Sequence, residues 1–338
     1  MTQVPEYPLP MLRAADISPA LRMALSTGVL EPRTLTEWTA IDQPHLARLV
    51  ARDVGADVGC VSRVAGRVAD KPLMARTRAI ARAFVDAAAD EAAIIDALAT
   101  HRVGLAREWA AYAVGELQSL ELTERLALLR PLAKDESLFV REAAWMGFRA
   151  HVAADIDLGL RLLEVWVRHS DPNVRRCAVE GTRPRGVWCR HIPELRREPQ
   201  RAAHLLEPVR SDGSDYVRRS VANWINDASK DRPEWAVAVT SRWRRESPTP
   251  ETEWSACGTR YAPSASAPVE RGRPATLNML VTRDTAVDTA HASRMRDELP
   301  TVHAEGPPGK SLSETSFCPP DSREHLFLHQ IREHGTNA

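Results

Sequence analysis

A short residue pattern recurs three times in the middle of the chain and constrains the fold more than any other feature. Each copy has an aspartate in a polar loop, then a Val-Arg pair, then a helix rich in small residues. The copies span residues 135–145, 171–181 and 212–224, and their valines, Val140, Val174 and Val217, are 34 and 43 residues apart. Such spacing is typical of HEAT-type two-helix repeats, which bury their apolar faces only by stacking.

Helical periodicity extends well beyond these copies. Apolar residues recur at three- and four-residue spacing, and no run alternates as a strand does. We therefore predict an all-α fold, a HEAT-like helical-repeat solenoid (an α-α superhelix), of five or six helical pairs over residues 44–254. We expect a leader at 1–43 and an irregular, disordered tail at 255–338, where a frame error would explain the abrupt change in composition. A non-repeating helical domain that reuses one good N-cap is the alternative.

Arginine is concentrated in the middle of a chain that is neutral overall. Residues 161–219 hold 13 arginines against eight acidic residues. The excess favours contacts with phosphates, although a solvated basic face is the alternative. Five cysteines without a CxxC pair, and no histidine cluster, predict neither a disulfide framework nor a metal site. With no secretion signal and no membrane-spanning run, we expect a cytoplasmic, nucleoid-associated protein.

Three carboxylates fall on one side of the repeat helices. With each repeat valine at zero on a helical wheel, Glu142, Glu180 and Asp227 lie at about 200°, 240° and 280°. They form one acidic line if the helices stack in parallel. Glu180 precedes the glycine that should end its helix, where a carboxylate opposes the dipole, so it is either paired with an arginine or retained for function. For all three acids, a structural salt bridge is the alternative.

Aromatic and basic residues flank these acids. Trp145, Trp188 and Trp224 either pack in the core or present a ring face to a cationic base. The candidates for DNA contacts are Arg175, Arg176, Arg183, Arg185, Arg218, Arg219, Asn223 and Lys230. For the basic residues, salt bridges between repeats are the alternative.

Residues 174–188 and 216–231 resemble the signature of AlkC-type members of the AlkC/AlkD DNA alkylation-repair glycosylases. Residues 139–148 resemble their upstream acidic segment more loosely. The resemblance implies a helical solenoid whose concave face holds duplex DNA. It also implies excision of cationic alkylated purines such as 3-methyladenine, without a base-flipping pocket. By motif position, the lesion-site residues are Glu142, Glu180, Asp227 and Trp188.

The chemistry agrees with this set of residues. An alkylated base is positively charged and its glycosidic bond is weak, and cleavage builds oxocarbenium character on the sugar. Fixed carboxylates stabilise that charge and can orient a water, so no cofactor is needed. We expect a monomer that acts on alkylated double-stranded DNA and has no membrane partner. A non-catalytic binder of damaged or branched DNA and a protein-interaction scaffold are the competing interpretations.

Overall fold

The computed structural model describes residues 16–186 and 188–246, and this part of the chain contains no strand. The first 15 residues of the predicted leader and the whole predicted tail at 255–338 lie outside the described residues. The helices within the described part are α1 (Pro19–Ser26), α2 (Leu35–Thr39), α3 (Gln43–Asp53), α4 (Val58–Arg67), α5 (Leu73–Asp86), α6 (Glu91–Ala99), α7 (Gly104–Glu116), α8 (Leu122–Leu132), α9 (Leu138–Ala154), α10 (Ile156–Leu163), α11 (Pro172–Gly181), α12 (Pro193–Arg197), α13 (Ala203–Leu206), α14 (Asp215–Ser229) and α15 (Pro233–Glu246).

These helices stack in two layers. In the first layer α5, α7, α9, α11 and α14 lie side by side in that order, and α3 packs against α5. In the second layer α4, α6, α8, α10 and α15 each pack on the first-layer helix that precedes them in the chain. The partner of α11 is instead a short 3-10 turn, Trp166–Arg168. This arrangement confirms the predicted all-α helical-repeat fold.

Small and β-branched residues allow the first-layer helices to approach closely. The repeat valines Val140, Val174 and Val217 are completely buried, as the wheel predicts. Gly115 on α7 faces Gly147 on α9, and a Cβ atom at either position would lie 2.9 Å or 2.7 Å from a backbone oxygen of the other helix. Each buried valine contributes about 1.5–3 kcal/mol through the apolar surface it removes from water.

The repeat aspartates stabilise the loop before each helix. Asp135, Asp171 and Asp212 each accept a hydrogen bond from the backbone N–H two residues later, at 2.7–2.8 Å. Of the three, Asp171 is itself the N-cap residue, whereas Asp135 and Asp212 lie two residues before the N-caps of α9 and α14. In all three repeats the aspartate therefore stabilises the same turn before the helix, although only Asp171 is the N-cap residue.

An arginine after each repeat valine folds back onto the preceding loop. Nη1 of Arg141, Arg175 and Arg218 donates to the carbonyl oxygen six residues earlier. Arg107 on α7 makes the same contact with the carbonyl of His101, which reveals a further copy of the repeat 34 residues before Arg141.

Two of these arginines also join consecutive repeats. Arg107 forms a two-pronged ion pair with Asp135, at 2.6 and 2.9 Å. Arg175 forms the same pair with Asp212, at 2.6 and 2.8 Å. The planar guanidinium matches both carboxylate oxygens, so each pair fixes the orientation of the next repeat.

The described part of the predicted leader is packed on the repeat domain. Thr34 and Glu37 form a capping box at the start of α2. The indole Nε1 of Trp38 donates to both carboxylate oxygens of Glu108 on α7, at 3.0 and 3.2 Å. Burial raises the pKa of Glu108 to about 8. The packed domain therefore begins before residue 44.

We predict that Arg175→Ala lowers the free energy of unfolding by about 2–3 kcal/mol, because it leaves Asp212 buried without its cation. Denaturant unfolding measures the loss. The control is Arg219→Ala, whose exposed side chain pairs with Asp215 on its own helix and contributes at most about 1 kcal/mol. Equal losses in the two variants would contradict a bracing role for Arg175.

Candidate functional site

The three predicted carboxylates lie on adjacent first-layer helices: Glu142 on α9, Glu180 on α11 and Asp227 on α14. Arginines stand between them. Nη2 of Arg176 is 2.7 Å from Glu142 and 3.7 Å from Glu180. Arg183 is 3.0 Å from Glu180 and 2.8 Å from Asp227. The acids therefore form the predicted line with cations between them, and we call these five residues the charge row.

Glu142 stands at the more open end of the charge row. Its side chain is 27% exposed, whereas those of Glu180 and Asp227 are 4% exposed. Trp145, one helical turn along α9, donates its Nε1 hydrogen to Glu142 at 2.8 Å. Glu142 is therefore the row's carboxylate most accessible to a ligand.

Aromatic stacking fixes the cation beside Glu142. The guanidinium carbon of Arg176 lies 4.2 Å from the centre of the Tyr216 ring, and that of Arg141 lies 5.6 Å from it. A desolvated guanidinium over an aromatic face gains about 2 kcal/mol. Tyr216 thus helps to hold Arg176 against the two glutamates.

Glu180 and Asp227 are held from several sides. Ser220 Oγ donates to Glu180 at 2.6 Å, which adds a hydrogen bond from α14 to the ion pair with Arg183. Lys230 donates to Asp227 at 3.2 Å from the end of α14, and its own side chain is 48% exposed. Of the two outcomes that the dipole argument left open for Glu180, pairing with an arginine is present.

Electrostatic interactions keep Glu180 and its two arginines charged. Burial alone would raise the pKa of Glu180, but Arg183, Arg176 and the Ser220 hydroxyl outweigh it, so the pKa lies below its ordinary value. Burial likewise works against the charge of Arg176 and Arg183, yet the neighbouring carboxylates raise the pKa of both guanidinium groups. Glu180 is therefore a fixed anion at neutral pH.

The predicted DNA-binding residues divide by exposure. Arg175, Arg176 and Arg183 are largely enclosed and engaged in ion pairs within the protein, which favours the alternative of salt bridges between repeats. Arg185 pairs with Asp231 at 2.9 Å.

The remaining candidates lie on α14 or, for Lys230, at its C-cap, and they differ in exposure. Arg219 is 56% exposed, Lys230 is nearly as open, and Asn223 and Arg218 are partly buried. Arg218 also contacts Asp215 at 3.3 Å. Arg219 and Lys230 are therefore the residues of the predicted set best placed to reach a phosphate.

Two of the three flanking tryptophans are core residues. Trp145 and Trp224 are buried, and Trp224 donates to the carbonyl of Thr182 at 3.0 Å. Trp188 is only partly buried and packs against the hydrophobic core from the segment after α11. Of the three, Trp188 is the most exposed.

Sequence reasoning missed Arg149, Tyr216 and Ser220. Ser220 and Tyr216 lie on the predicted repeat helix, but their partners are on α11 and become visible only in three dimensions. Arg149 had a usable signal, because it interrupts an apolar stretch of a predicted helix between Phe148 and Ala150.

The described part of the chain gives no indication of a metal centre or of a membrane span. Among the described residues, no group of three or more His, Cys, Asp or Glu side chains is placed to hold a metal ion. None of the described helices has the length and apolarity needed to cross a membrane.

We predict that Arg183→Ala destabilises the protein in a pH-dependent way. Glu180, with its lowered pKa, stabilises the fold above about pH 4.3, and this contribution disappears as pH falls through the native pKa. Without Arg183 much of this contribution is lost, so the penalty should be large at pH 7 and shrink only as pH falls below about 4.3 through the native pKa. Denaturant unfolding at pH 7 and at pH values below about 4.3 tests this, with the exposed-pair variant Arg82→Ala as control. A pH-independent penalty would be inconsistent with this origin.

Known proteins resemble the chain chiefly in fold. No family model matches it. The Pseudomonas fluorescens alkylpurine DNA glycosylase AlkC, bound to DNA containing an abasic-site analogue, is 21% identical with a TM-score of 0.54, over 68% of this chain and 61% of AlkC. Two Streptococcus mutans structures, smu.31 and AlkD2, are each 22% identical with a TM-score of 0.46; smu.31 is matched over 59% of this chain and 96% of its own, and AlkD2 over 58% and 97%.

One curated relative is similar in sequence over a shorter stretch. It is the uncharacterized protein YhaZ of Bacillus subtilis, 38% identical over 106 residues, which are 31% of this chain and 29% of YhaZ. The match thus spans less than a third of YhaZ, and the match to AlkC spans less than two thirds of AlkC. The AlkC match, in contrast, includes most of this chain. The chain has the helical-repeat fold of the AlkC-type alkylpurine DNA glycosylases.

Proposed function

We propose that the protein acts in DNA alkylation repair, as a DNA glycosylase that hydrolyses the N-glycosidic bond of cationic alkylated purines such as 3-methyladenine. The observation that carries the proposal is the charge row: three carboxylates, each paired with an arginine, on adjacent repeat helices of an AlkC-like fold. The proposed substrate is alkylated duplex DNA, held without a base-flipping pocket.

Fixed anions suit this chemistry. The lesion is a cation before the reaction, and positive charge develops on the sugar as the glycosidic bond breaks. Carboxylates already oriented by Arg183, Ser220 and Trp145 need no reorganisation during the step, which is what makes such groups effective. Glu142, the most exposed of the three acids, would contact the lesion or orient the attacking water. Glu180 and Asp227 would act through the electrostatic field that they create. The face of Trp188 would favour a cationic base.

DNA binding would also change the net charge around the charge row. Three carboxylates and two guanidiniums leave the row with an excess of one negative charge, which Lys230 offsets from the edge. The ammonium group of Lys230 is exposed, so it can leave Asp227, one helical turn away, and bind a backbone phosphate instead. That exchange would restore the negative charge of the row when DNA is bound.

A second candidate is a non-catalytic binder of damaged DNA. It is favoured by the burial of Glu180 and Asp227 and by the pairing of every acid in the row with an arginine. On that hypothesis the acids only stabilise the fold, and DNA contacts come from exposed residues such as Arg219.

We predict that the purified protein releases 3-methyladenine from methylated duplex DNA and that Asp227→Asn slows release about 100-fold or more under single-turnover conditions. The substitution keeps the shape of the side chain and removes its charge. Chromatography of the free bases measures the rate, and thermal unfolding of the same sample gives the folded fraction.

The matched control is Asp215→Asn. Asp215 is also on α14 and also pairs with arginines, but it lies outside the charge row. It should leave the rate within about twofold. A destabilised but fully active Asp227→Asn protein would end the catalytic assignment, and duplex binding without any base release by the native protein would favour the non-catalytic binder.

A further inference from the structure

Arg149 on α9 is a buried cation without a carboxylate in direct contact. Its side chain makes five hydrogen bonds, all to backbone carbonyl oxygens of another part of the chain. The acceptors are Glu180 at 3.5 Å, Gly181 at 3.1 Å, Arg183 at 2.7 Å and Arg190 at 3.2 Å. Only 3% of the residue is exposed.

These contacts satisfy the end of a helix. The last carbonyls of α11 have no intrahelical donor and lie at the negative end of the helix dipole. The Arg149 guanidinium supplies donors and positive charge there, which explains why it is tolerated in an apolar region. The same guanidinium also donates to the carbonyl oxygen of Arg190, beyond the end of the helix, so it contacts both the helix end and the segment that follows.

The segment that Arg149 holds carries much of the candidate site. Residues 180–190 include Glu180 and Arg183 of the charge row and the partly exposed Trp188. The segment is closed by a hydrogen bond from Ile192 N to the carbonyl of Pro184, at 3.0 Å. The described residues of this segment, 182–186 and 188–192, form no regular helix, so their arrangement depends on such contacts.

We propose that Arg149 is the positioning residue of the site, which sets the placement of Glu180, Arg183 and Trp188 for DNA through the backbone of residues 180–190. This inference rests on the proposed function for its effect on base release. Its effect on the segment itself is independent of that function.

The chain contains a second arginine of the same kind, away from the site. Arg125 on α8 is buried and donates to the carbonyls of Val114, Leu117 and Leu120 at the end of α7, the last two at 2.6 and 3.1 Å. Arg125→Lys and Arg149→Lys thus remove the same planar set of donors while retaining a positive charge. The two substitutions act at different helix ends: Arg125→Lys removes donors at the end of α7, and Arg149→Lys removes donors at the end of α11.

Hydrogen exchange and single-turnover base release on these two variants test the proposal. Arg149→Lys should speed amide exchange in residues 182–192 about tenfold or more. It should slow base release per folded molecule about 10- to 100-fold, because a misplaced group loses much of its effect. Affinity for unmodified duplex should change less than about threefold, since exposed residues make the phosphate contacts. Arg125→Lys should speed exchange only near residues 114–120 and leave release per folded molecule intact.

Unchanged exchange at 182–192 in Arg149→Lys, or an equal loss of base release in Arg125→Lys, would overturn the proposal. If Arg149→Lys does not fold, Gly186→Ala provides the second route. Its added Cβ would collide with Cys189 Sγ and lie 3.4 Å from Arg149 Nε, so it displaces the same segment and should slow release. Native protein that releases no base would end the proposed function, while the exchange data would still decide whether Arg149 sets the segment.

Discussion

Arginine side chains that donate to carbonyl and carboxylate oxygens of another repeat hold this structure together. Apolar stacking supplies most of the burial, but it does not by itself fix how one repeat sits on the next. The two-pronged pairs of Arg107 with Asp135 and of Arg175 with Asp212 do so, because a planar guanidinium and a carboxylate meet in one orientation. The short, small-residue helices can therefore stack in a reproducible register.

The same interaction shapes the candidate site. Arg183 lies between Glu180 and Asp227 and links α11 to α14, as Arg176 links α9 to α11. A buried carboxylate without such a partner would take up a proton, and its value for stabilising a cation would be lost. The arginines that join the repeats thus also keep Glu180 charged, because they hold its pKa below its ordinary value. One residue can therefore have both a structural and a catalytic role. Separate measurements of stability and of reaction rate distinguish the two.

Much of this arrangement could be predicted from the sequence because it is local to a helix. The burial of Val140 and the alignment of Glu180 with Asp227 follow from helical periodicity. The pairing of Glu180 was one of two outcomes required by its position at a helix end. The start of α2 could also have been predicted from the capping box of Thr34 and Glu37, although residues 1–43 were expected to form a leader.

The partners that could not be predicted are distant in sequence. Glu108 meets Trp38 across 70 residues, and Arg149 meets carbonyls that any residue carries, so side-chain identity gives no clue to the contact. Likewise, sequence did not distinguish arginines that face solvent from those that join repeats. Arg175 directly follows a repeat valine and Arg219 lies one residue further along in its own repeat, yet nothing in the sequence shows that Arg175 meets Asp212 of the next repeat while Arg219 remains 56% exposed.

We propose that fixed negative charge, rather than a shaped pocket, selects the substrate. Single-turnover release of a cationic and of a neutral lesion from otherwise identical duplexes tests this. We expect release of 3-methyladenine or 7-methylguanine, whereas a neutral lesion such as hypoxanthine should be bound with similar affinity but not excised at a measurable rate. Release of the neutral base at a comparable rate would show that charge does not select the substrate.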